Sequence, residues 1–426
     1  MTSTIAVEKL RVGMYIQLEG GWLSHPFPLS AFKISSPDEI TTLRGLGLAQ
    51  VRWVPEKSDL ASTAVATPVA LRGPVLNAED AAAAQQRAWL AGQREATRRC
   101  ERQYGEAASA WRAAHAAVAT QPQQAGAATQ ALTQAMLDKM LAADEVAVRL
   151  VGGGSDRAAA HALNVAVISM LIGRTLGMAP AEMLDLGVGA LMHDVGKQDL
   201  PERLRHAEDS FNATELNGYR EHVAKGLAQA QRMALSAGAQ AVIAQHHENA
   251  DGSGFPLRLP ADQLSLGARI VAIVNRYDNL CNPGSRSLAL TPHEAVAMLF
   301  AQSRSRFDPP VLNTFIRLMG VYPAGSLVQL TDDRYAMVVG VNSTRPLKPR
   351  VLVHGGAAVR AGPRSVAASA PTQLLDLQDQ LDLGIRRSLA ASKLPPAVLS
   401  ALDPRPRVSY YFEALERAAV REEMAA

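Results

Sequence analysis

The spacing of apolar and polar residues divides the chain into segments with different predicted secondary structure. Residues 1–60 hold short runs of β-branched and aromatic residues between turn residues, as in Val12–Ile16, Ala31–Ile34 and Val51–Val54. Runs of this length and composition are typical of short strands. The pattern predicts a small β-containing module at the start of the sequence.

Residues 61–145 are rich in Ala, Gln, Glu and Arg, with breaks at Pro68, Pro74 and residues 121–124. This composition favours helix and supplies few large apolar side chains for a core. We therefore expect a helical connector. Two roles remain open for it: a solvated helix with no binding partner, and a signalling or dimerisation helix.

Residues 146–320 show the apolar spacing of helices throughout. The segment that starts at Ala158 is apolar on nearly every side, which is typical of a helix buried in a core. Asn212 followed by Glu215 fits a capping box at the start of another helix. The predicted helices are Ala158–Leu176, residues 180–196, residues 212–233, Ala237–His247 and Gly267–Leu280.

After residue 320 the pattern returns to short strands, which are followed by a proline-containing tail to which we assign no role. The predicted strands are Leu327–Leu330, Tyr335–Val341 and Val351–His354. The fold class expected from the whole pattern is mainly α, with a small β-containing module before the helical block and a small β-rich segment after it. The expected domains are residues 1–60, 61–145, 146–320 and 321–426.

Composition narrows the class of protein. Hydrophobic residues make up 48% and charged residues 19% of the 426, and the net charge is +3, so a folded protein is expected and a nucleic-acid-coating protein is not. Cys100 and Cys281 lie far apart, which argues against a disulfide framework. The first ten residues lack a signal-peptide pattern, and no unbroken apolar run of about 18 residues occurs, so we expect a cytoplasmic protein without membrane insertion.

Histidines supply the candidate chemistry. A single buried histidine is more often a core residue bonded to a carbonyl than a ligand, but several on neighbouring helices predict a metal site, because neutral imidazole nitrogens bind divalent ions. A carboxylate beside them can bridge two ions with its two oxygens. The candidate ligands in the helical block are His161, His193, Asp194, His222, His246 and His247.

The order of these residues resembles the HD phosphohydrolase superfamily. Residues 246–256, which read HHENADGSGFP, resemble the signature of the HD-GYP family of cyclic di-GMP phosphodiesterases, and residues 192–197 with Pro201 match the other landmark of that family. The resemblance covers roughly residues 150–320. The first sixty residues are also similar to a small module that accompanies HD-GYP domains in some bacterial proteins.

The resemblance implies an HD-type helical bundle that binds two divalent ions, with iron or manganese expected ahead of magnesium, nickel or zinc. It assigns His161, His193 and Asp194 to one ion and Asp194, His222, His246 and His247 to the other. A hydroxide between the ions would attack phosphorus and convert cyclic di-GMP to linear pGpG, with GMP as a further product left open.

Other residues receive roles that support this chemistry. Lys197 would bind a substrate phosphate and join His193 and Asp194 as a catalytic residue. Gly252 and Gly254 would let a tight loop approach the substrate. We expect two acidic residues of the signature segment, Glu248 and Asp251, to orient the histidine rings.

Four positions depart from the family pattern. Asn275 stands where the last metal-binding carboxylate of the family falls, and Phe255 replaces the tyrosine of the signature. The usual phosphate-facing arginine is missing from residues 284–287 unless Arg286 replaces it. Arg157 stands where a three-metal member would carry glutamate, which argues against a third ion.

These departures keep three functions open. The first is an active cyclic di-GMP phosphodiesterase, and the second is a degenerate domain that binds cyclic di-GMP and signals through partner proteins. The third is an HD phosphohydrolase that acts on another nucleotide. No nucleic-acid polymer is expected as a partner, and a homodimer stays open.

Overall fold

The computed structural model describes residues 3–18, 31–35, 37–45, 48–59, 78–143, 145–152, 156–206, 211–285, 288–302, 304–341, 345–355, 372–405 and 407–415. It divides the chain into two compact units. The first contains residues 1–95, 138–145 and 414–426, and the second contains residues 96–137 and 146–413.

The helices and strands are numbered in chain order. The helices are α1 Pro37–Gly45, α2 Ala78–Ala117, α3 Pro122–Ala142, α4 Arg157–Thr175, α5 Pro180–Met192, α6 Ala213–Arg232, α7 Ala237–Gln245, α8 Leu266–Cys281, α9 Pro292–Gln302, α10 Pro309–Met319 and α11 Pro396–Leu402. The strands are β1 Ser3–Ala6, β2 Tyr15–Gln17, β3 Ala31–Lys33, β4 Gln50–Trp53, β5 Glu145–Val151, β6 Leu327–Leu330, β7 Tyr335–Gly340, β8 Arg350–His354, β9 Thr372–Asp376, β10 Ile385–Leu389 and β11 Ser409–Leu415. The expected fold class, mainly α with small β elements before and after the helical block, is confirmed.

The first unit contains a four-stranded antiparallel sheet in the order β1-β4-β2-β3. Ile16 on β2 pairs with Phe32 on β3, and both side chains enter a buried apolar cluster that also takes Leu43 from α1. Alternation of buried and exposed residues along such short strands leaves one face for the core. This is the small β-containing module that the sequence predicts.

The second unit is organised around α4. Every residue from Ala159 to Gly173 is buried except His161. The predicted core helix is therefore partly exposed to solvent at this histidine. Helices α5, α8 and α10 pack against α4, and α6 and α7 pack on each other and on the α5 end of the bundle. Within the described residues α4 is also the one helix whose length and hydropathy match a membrane span, and 78% of that window is buried inside the protein.

One predicted helix end differs from the structure. Helix α5 stops at Met192, and residues 195–199 form a 3-10 turn instead of continuing the helix to Gly196. A Cβ at Gly196 would lie 2.1 Å from the backbone oxygen of His222, so α6 approaches this turn at backbone contact. The turn therefore fits beneath α6 only because residue 196 has no side chain.

The segment after residue 320 forms a five-stranded antiparallel sheet in the order β10-β6-β7-β8-β9. The predicted strands correspond to β6, β7 and β8, whereas β9 and β10 were not anticipated. Strand β11 pairs with β5, which lies immediately before the helical block. The C-terminal residues are thus bonded to a segment more than 250 positions earlier in the sequence.

Part of the expected connector belongs to the helical core of the second unit. The indole of Trp111, on α2, is 5% exposed and its Nε1 donates to the backbone oxygen of Leu191 at 2.9 Å. Gln198 Nε2 also donates to the backbone oxygen of His115. The second unit takes in residues 96–137 as well as residues beyond 320, while the expected four-domain division stays a prediction.

Trp111→Ala should lower the free energy of unfolding of the second unit by about 3 to 5 kcal/mol, because it removes a buried aromatic side chain and one buried hydrogen bond. Urea denaturation followed by circular dichroism measures the change. Arg98→Ala, an exposed site on the same helix, should change stability by less than about 0.5 kcal/mol. Equal transitions for the two variants would show that α2 does not stabilise the bundle.

Candidate metal centre

Five imidazoles from four helical segments converge in the second unit. His161 lies in α4, His193 follows α5, His222 lies in α6, and His246 and His247 follow α7. The Nε2 atoms of His161 and His193 are 3.1 Å apart, and those of His222 and His246 are 3.3 Å apart. Residues separated by as many as 86 positions are therefore brought to one place by helix packing.

The carboxylate of Asp194 lies between these two pairs of rings. Its Oδ2 is 3.5 Å from His161 Nε2 and 3.4 Å from His193 Nε2. Its Oδ1 is 3.6 Å from His222 Nε2 and 3.8 Å from His246 Nε2. One oxygen thus faces each pair, which is the arrangement a bridging carboxylate requires.

Two groups of potential ligands share this carboxylate. Within each group the ligand atoms lie within 4.8 Å of one another. The first group is His161, His193 and Asp194, and the second is Asp194, His222, His246 and His247. These groups coincide with the two predicted ligand sets, whose binding of metal stays a prediction.

Backbone carbonyl groups set the orientation of three rings. His193, His222 and His246 each donate Nδ1–H to the carbonyl oxygen three residues earlier, which leaves the Nε2 lone pair directed at the centre. The acceptors are Ala190 at 2.8 Å, Tyr219 at 2.6 Å and Ile243 at 2.7 Å. The backbone of the helix that carries or precedes each of these three histidines therefore fixes the orientation of its ring.

The expected role of two acidic residues is wrong. Glu248 accepts hydrogen bonds from the backbone N–H groups of residues 257, 258 and 259, and Asp251 accepts from the backbone and hydroxyl of Ser253. Both carboxylates stabilise the signature loop itself and neither bonds a histidine ring. These loop N–H groups would otherwise lack acceptors, and the loop fold brings them to the two carboxylates.

His161 has a different support, which the sequence did not reveal. Its Nδ1 lies 2.6 Å from Asp278 Oδ2 on α8, and the other oxygen of Asp278 accepts from Asn164 at 2.7 Å and Asn282 at 2.9 Å. Asp278 is 1% exposed. A buried carboxylate held by two amides fixes the ring of His161 with its Nε2 towards Asp194.

The residues present fit divalent ions. Asp194 Oδ1 and His247 Nε2 are buried and have no hydrogen-bond partner among the described residues. Leaving a buried polar atom without a partner costs about 1 to 3 kcal/mol. A cation would satisfy both atoms, and a donor set rich in imidazole suits borderline transition metals better than magnesium.

Burial keeps the second group of rings neutral and able to donate lone pairs. It lowers the pKa of His222 to about 4, and burial together with the neighbouring rings lowers the pKa of His246 and His247 well below the usual value. Burial opposes ionisation of Asp194, but Lys197 and His193 outweigh it and hold the pKa of this carboxyl well below its usual range. One anion among neutral rings is a ready ligand set for a cation.

Lys197 lies beside the shared carboxylate, with Nζ 2.6 Å from Asp194 Oδ2 and 5.3 Å from the ring centre of Tyr219. Burial opposes its positive charge, but Asp194 outweighs that effect and raises the pKa of Lys197. The ammonium group is therefore held charged at the edge of the centre. Its contact with a substrate phosphate stays a prediction.

The remaining predicted residues are placed as follows. Asn275 lies on α8, 3% exposed, and its carboxamide oxygen accepts from Asn279 at 2.6 Å. Gly252 has φ +73°, and a Cβ at Gly254 would lie 2.4 Å from the backbone nitrogen of residue 249, so the loop fold itself requires these glycines. Arg286 lies outside the described residues.

Phe255, the residue that replaces the signature tyrosine, stacks on His247 with ring centres 4.5 Å apart and 20° between planes. The guanidinium of Arg220 lies 5.2 Å from the centre of the same aromatic ring. The aromatic ring thus supports His247. Three other rings, those of His193, His222 and His246, are instead supported by backbone carbonyl groups. Stacking needs no hydroxyl, so phenylalanine serves this purpose as well as tyrosine.

Comparison with known proteins agrees with this geometry. A protein-family model described as an HD domain matches residues 131–311. A second model, described as a domain of unknown function (DUF3391), matches residues 2–129, a range that includes the predicted N-terminal module and most of the expected connector.

Two curated relatives of this chain share one description, cyclic di-GMP phosphodiesterase. The cyclic di-GMP phosphodiesterase PA4108 of Pseudomonas aeruginosa is 28% identical over 83% of this chain and 85% of its own length. The cyclic di-GMP phosphodiesterase PdeB of Borreliella burgdorferi is 21% identical over 50% of this chain and 56% of its own length. A solved structure, "Bd1817, a HDG"Y"P protein from Bdellovibrio bacteriovorus", aligns with 74% of this chain and 98% of its own at 14% identity and TM-score 0.40. The sequence resemblance to the HD-GYP family is confirmed.

Asn275→Asp should lower the dissociation constant of the more weakly held ion by at least about tenfold, if Asn275 coordinates metal, because a carboxylate adds a full negative charge to the ligand set. Competition between the protein and a chromogenic chelator for Mn²⁺ measures it. The matched control is Asn313→Asp, the same change at an exposed site on α10. Superimposable Mn²⁺ titrations of the unsubstituted protein and Asn275→Asp would remove residue 275 from the coordination sphere.

Proposed function

We propose that this protein is a metal-dependent phosphohydrolase that hydrolyses cyclic di-GMP to linear pGpG, with further hydrolysis to GMP left open. The observation that carries the proposal is the single carboxylate of Asp194 between two histidine pairs, one facing each oxygen. The names of the relatives PA4108 and PdeB support the choice of substrate. The cytoplasmic location expected from the sequence remains part of this proposal.

Two divalent ions fit the ligand sets described above, with His161, His193 and Asp194 on one side and Asp194, His222, His246 and His247 on the other. Bound there, they would act as Lewis acids on a phosphodiester and lower the pKa of a water molecule. The high proportion of imidazole favours iron, and the shared carboxylate accommodates manganese. Asn275 would contribute a neutral amide oxygen in place of a carboxylate.

The side chains of this chain supply the rest of the chemistry. Lys197 keeps a positive charge next to Asp194, at a position from which it can contact a non-bridging phosphate oxygen. A fixed cation there stabilises the negative charge that builds up on phosphorus oxygens during displacement. The carbonyl-bonded rings do not need to reorient, so the centre is organised before substrate arrives.

A second function is favoured by Asn275 alone. An amide provides one oxygen lone pair without charge, which weakens binding of hard cations relative to a carboxylate. A centre that held its metals poorly would bind cyclic di-GMP without cleaving it and would transmit the bound state to partner proteins. Chromatography of the products after incubation with cyclic di-GMP separates hydrolysis from binding without cleavage.

The test is reconstitution with Mn²⁺, or with Fe²⁺ without oxygen, followed by incubation with cyclic di-GMP, chromatography of the products and elemental analysis of the protein. We expect pGpG to form. Asp194→Asn should lose bound metal and reduce the rate by on the order of 100-fold or more, since changes outside the coordination sphere alone cost about 10 to 100-fold. Circular dichroism should remain unchanged.

Asp262→Asn, an exposed site with the same loss of charge, is the matched control and should retain metal and rate. Bound cyclic di-GMP without product, whether or not metal is retained, would reject the hydrolase and support the binding function. Absence of both metal and cyclic di-GMP binding would reject both functions.

A further inference from the structure

Two arginines near the candidate metal centre, Arg157 and Arg407, have no carboxylate partner among the residues that the structure describes. Arg157 is the first residue of α4, and His161 follows it by four residues, so the two side chains emerge from the same face of the helix about one turn apart. The guanidinium of Arg157 lies over Gly284, where an added Cβ would be 3.2 Å from a terminal nitrogen. A larger residue at 284 would displace this guanidinium.

Arg407 reaches the same place from the C-terminal segment. The next residue, Val408, donates its backbone N–H to Asn282 Oδ1 at 3.1 Å, and its carbonyl oxygen accepts from Asn164 at 3.0 Å and Asn282 at 2.9 Å. Asn282 precedes Gly284 by two residues. The backbone next to Arg407 is therefore held at the end of α8, and the charge of Arg407 acts on Arg157.

Neither guanidinium has a hydrogen bond or an ion pair within the part of the chain that the structure describes. Other arginines of the second unit differ, since Arg203 pairs with Glu215 and Arg269 with Asp308. The side chain of Arg157 is partly buried, where an unpaired charge is costly.

The local electrostatics disfavour two cations here unless an anion joins them. Burial and the charge of Arg407 both lower the pKa of Arg157, against a smaller opposing effect of Asp278 and Asp194. The N-terminus of α4 carries the positive end of the helix dipole, which adds to the repulsion. Burial, Arg157 and Lys197 likewise lower the pKa of His206, so the positive field extends along this side of the centre.

We propose that Arg157 and Arg407 together bind the second phosphodiester of a cyclic dinucleotide whose first phosphodiester lies at the metal centre. This inference rests on the proposed function and deepens it. A guanidinium presents paired N–H donors that match the oxygens of a phosphate, and a phosphodiester anion relieves the repulsion between the two cations. A cyclic dinucleotide carries two such groups, whereas Lys197 and the metal ligands account for one.

The experiment compares a ligand with two phosphodiesters and a substrate with one. Binding of cyclic di-GMP to the Mn²⁺-loaded protein is measured by calorimetry, and cleavage of bis(p-nitrophenyl) phosphate is measured on the same samples. Arg157→Gln and Arg407→Gln should each weaken cyclic di-GMP binding by roughly tenfold, the effect of losing one charge-assisted hydrogen bond. Cleavage of bis(p-nitrophenyl) phosphate and metal content should stay within about twofold.

Two further variants keep the result interpretable. Arg174→Gln removes the same charge from the other end of α4, about 25 Å away, and should leave cyclic di-GMP binding unchanged. Arg157→Lys keeps the charge without the paired donors. Its affinity for cyclic di-GMP should lie between those of the unsubstituted protein and Arg157→Gln. The dependence of cyclic di-GMP binding on salt should become shallower when both arginines are replaced.

Unchanged cyclic di-GMP binding in both glutamine variants would overturn the arginine site and leave the proposed function standing. Equal losses for cyclic di-GMP and bis(p-nitrophenyl) phosphate, or loss of metal, would also overturn it, since the arginines would then act on the metal centre. If the unsubstituted protein neither binds nor cleaves cyclic di-GMP, the proposed function itself is wrong and the arginine site falls with it.

Discussion

The second unit depends on holding one partly buried carboxylate among histidine rings. Asp194 is withdrawn from water, which would favour its protonation, but Lys197 and the surrounding imidazoles hold it ionised. A buried anion is tolerated only when nearby groups compensate it. Four helices therefore have to deliver side chains to the same point, and their packing angles and contacts are constrained by that requirement.

Two kinds of local feature satisfy this constraint. Close backbone contact between Gly196 and α6 brings His222 next to His193 and Asp194. A residue with a side chain at position 196 would prevent this contact. Carbonyl groups three residues back then rotate three of the rings to face inward. The rigidity of the centre thus comes from helix backbone, which is less sensitive to surface substitution than a network of side chains.

The two candidate ligand groups could be named from the sequence because their residues stand in motifs that resemble those of the HD-GYP family. His161 interrupts the apolar surface of α4, and that interruption is visible in the sequence. The supports of the centre were not predictable in the same way. Asp278 receives no role from the sequence, and the hydrogen bonds from Asn164 and Asn282 to the backbone of Val408 depend on a strand whose pairing no local pattern indicates. Glu248 was assigned wrongly because proximity to His247 in sequence does not decide which donors its carboxylate meets.

The bonds to Val408 have a consequence for the biosynthesis of the centre. Asn164 and Val408 are 244 residues apart, so at about 5 to 20 residues per second a ribosome needs about 10 to 50 s to make the intervening chain. During that interval the amides that hold Asp278 lack one of their acceptors, and the ring of His161 lacks its final support. The hydrogen-bonded support of His161 is therefore completed only after residue 408 has been made, late in the synthesis of the chain.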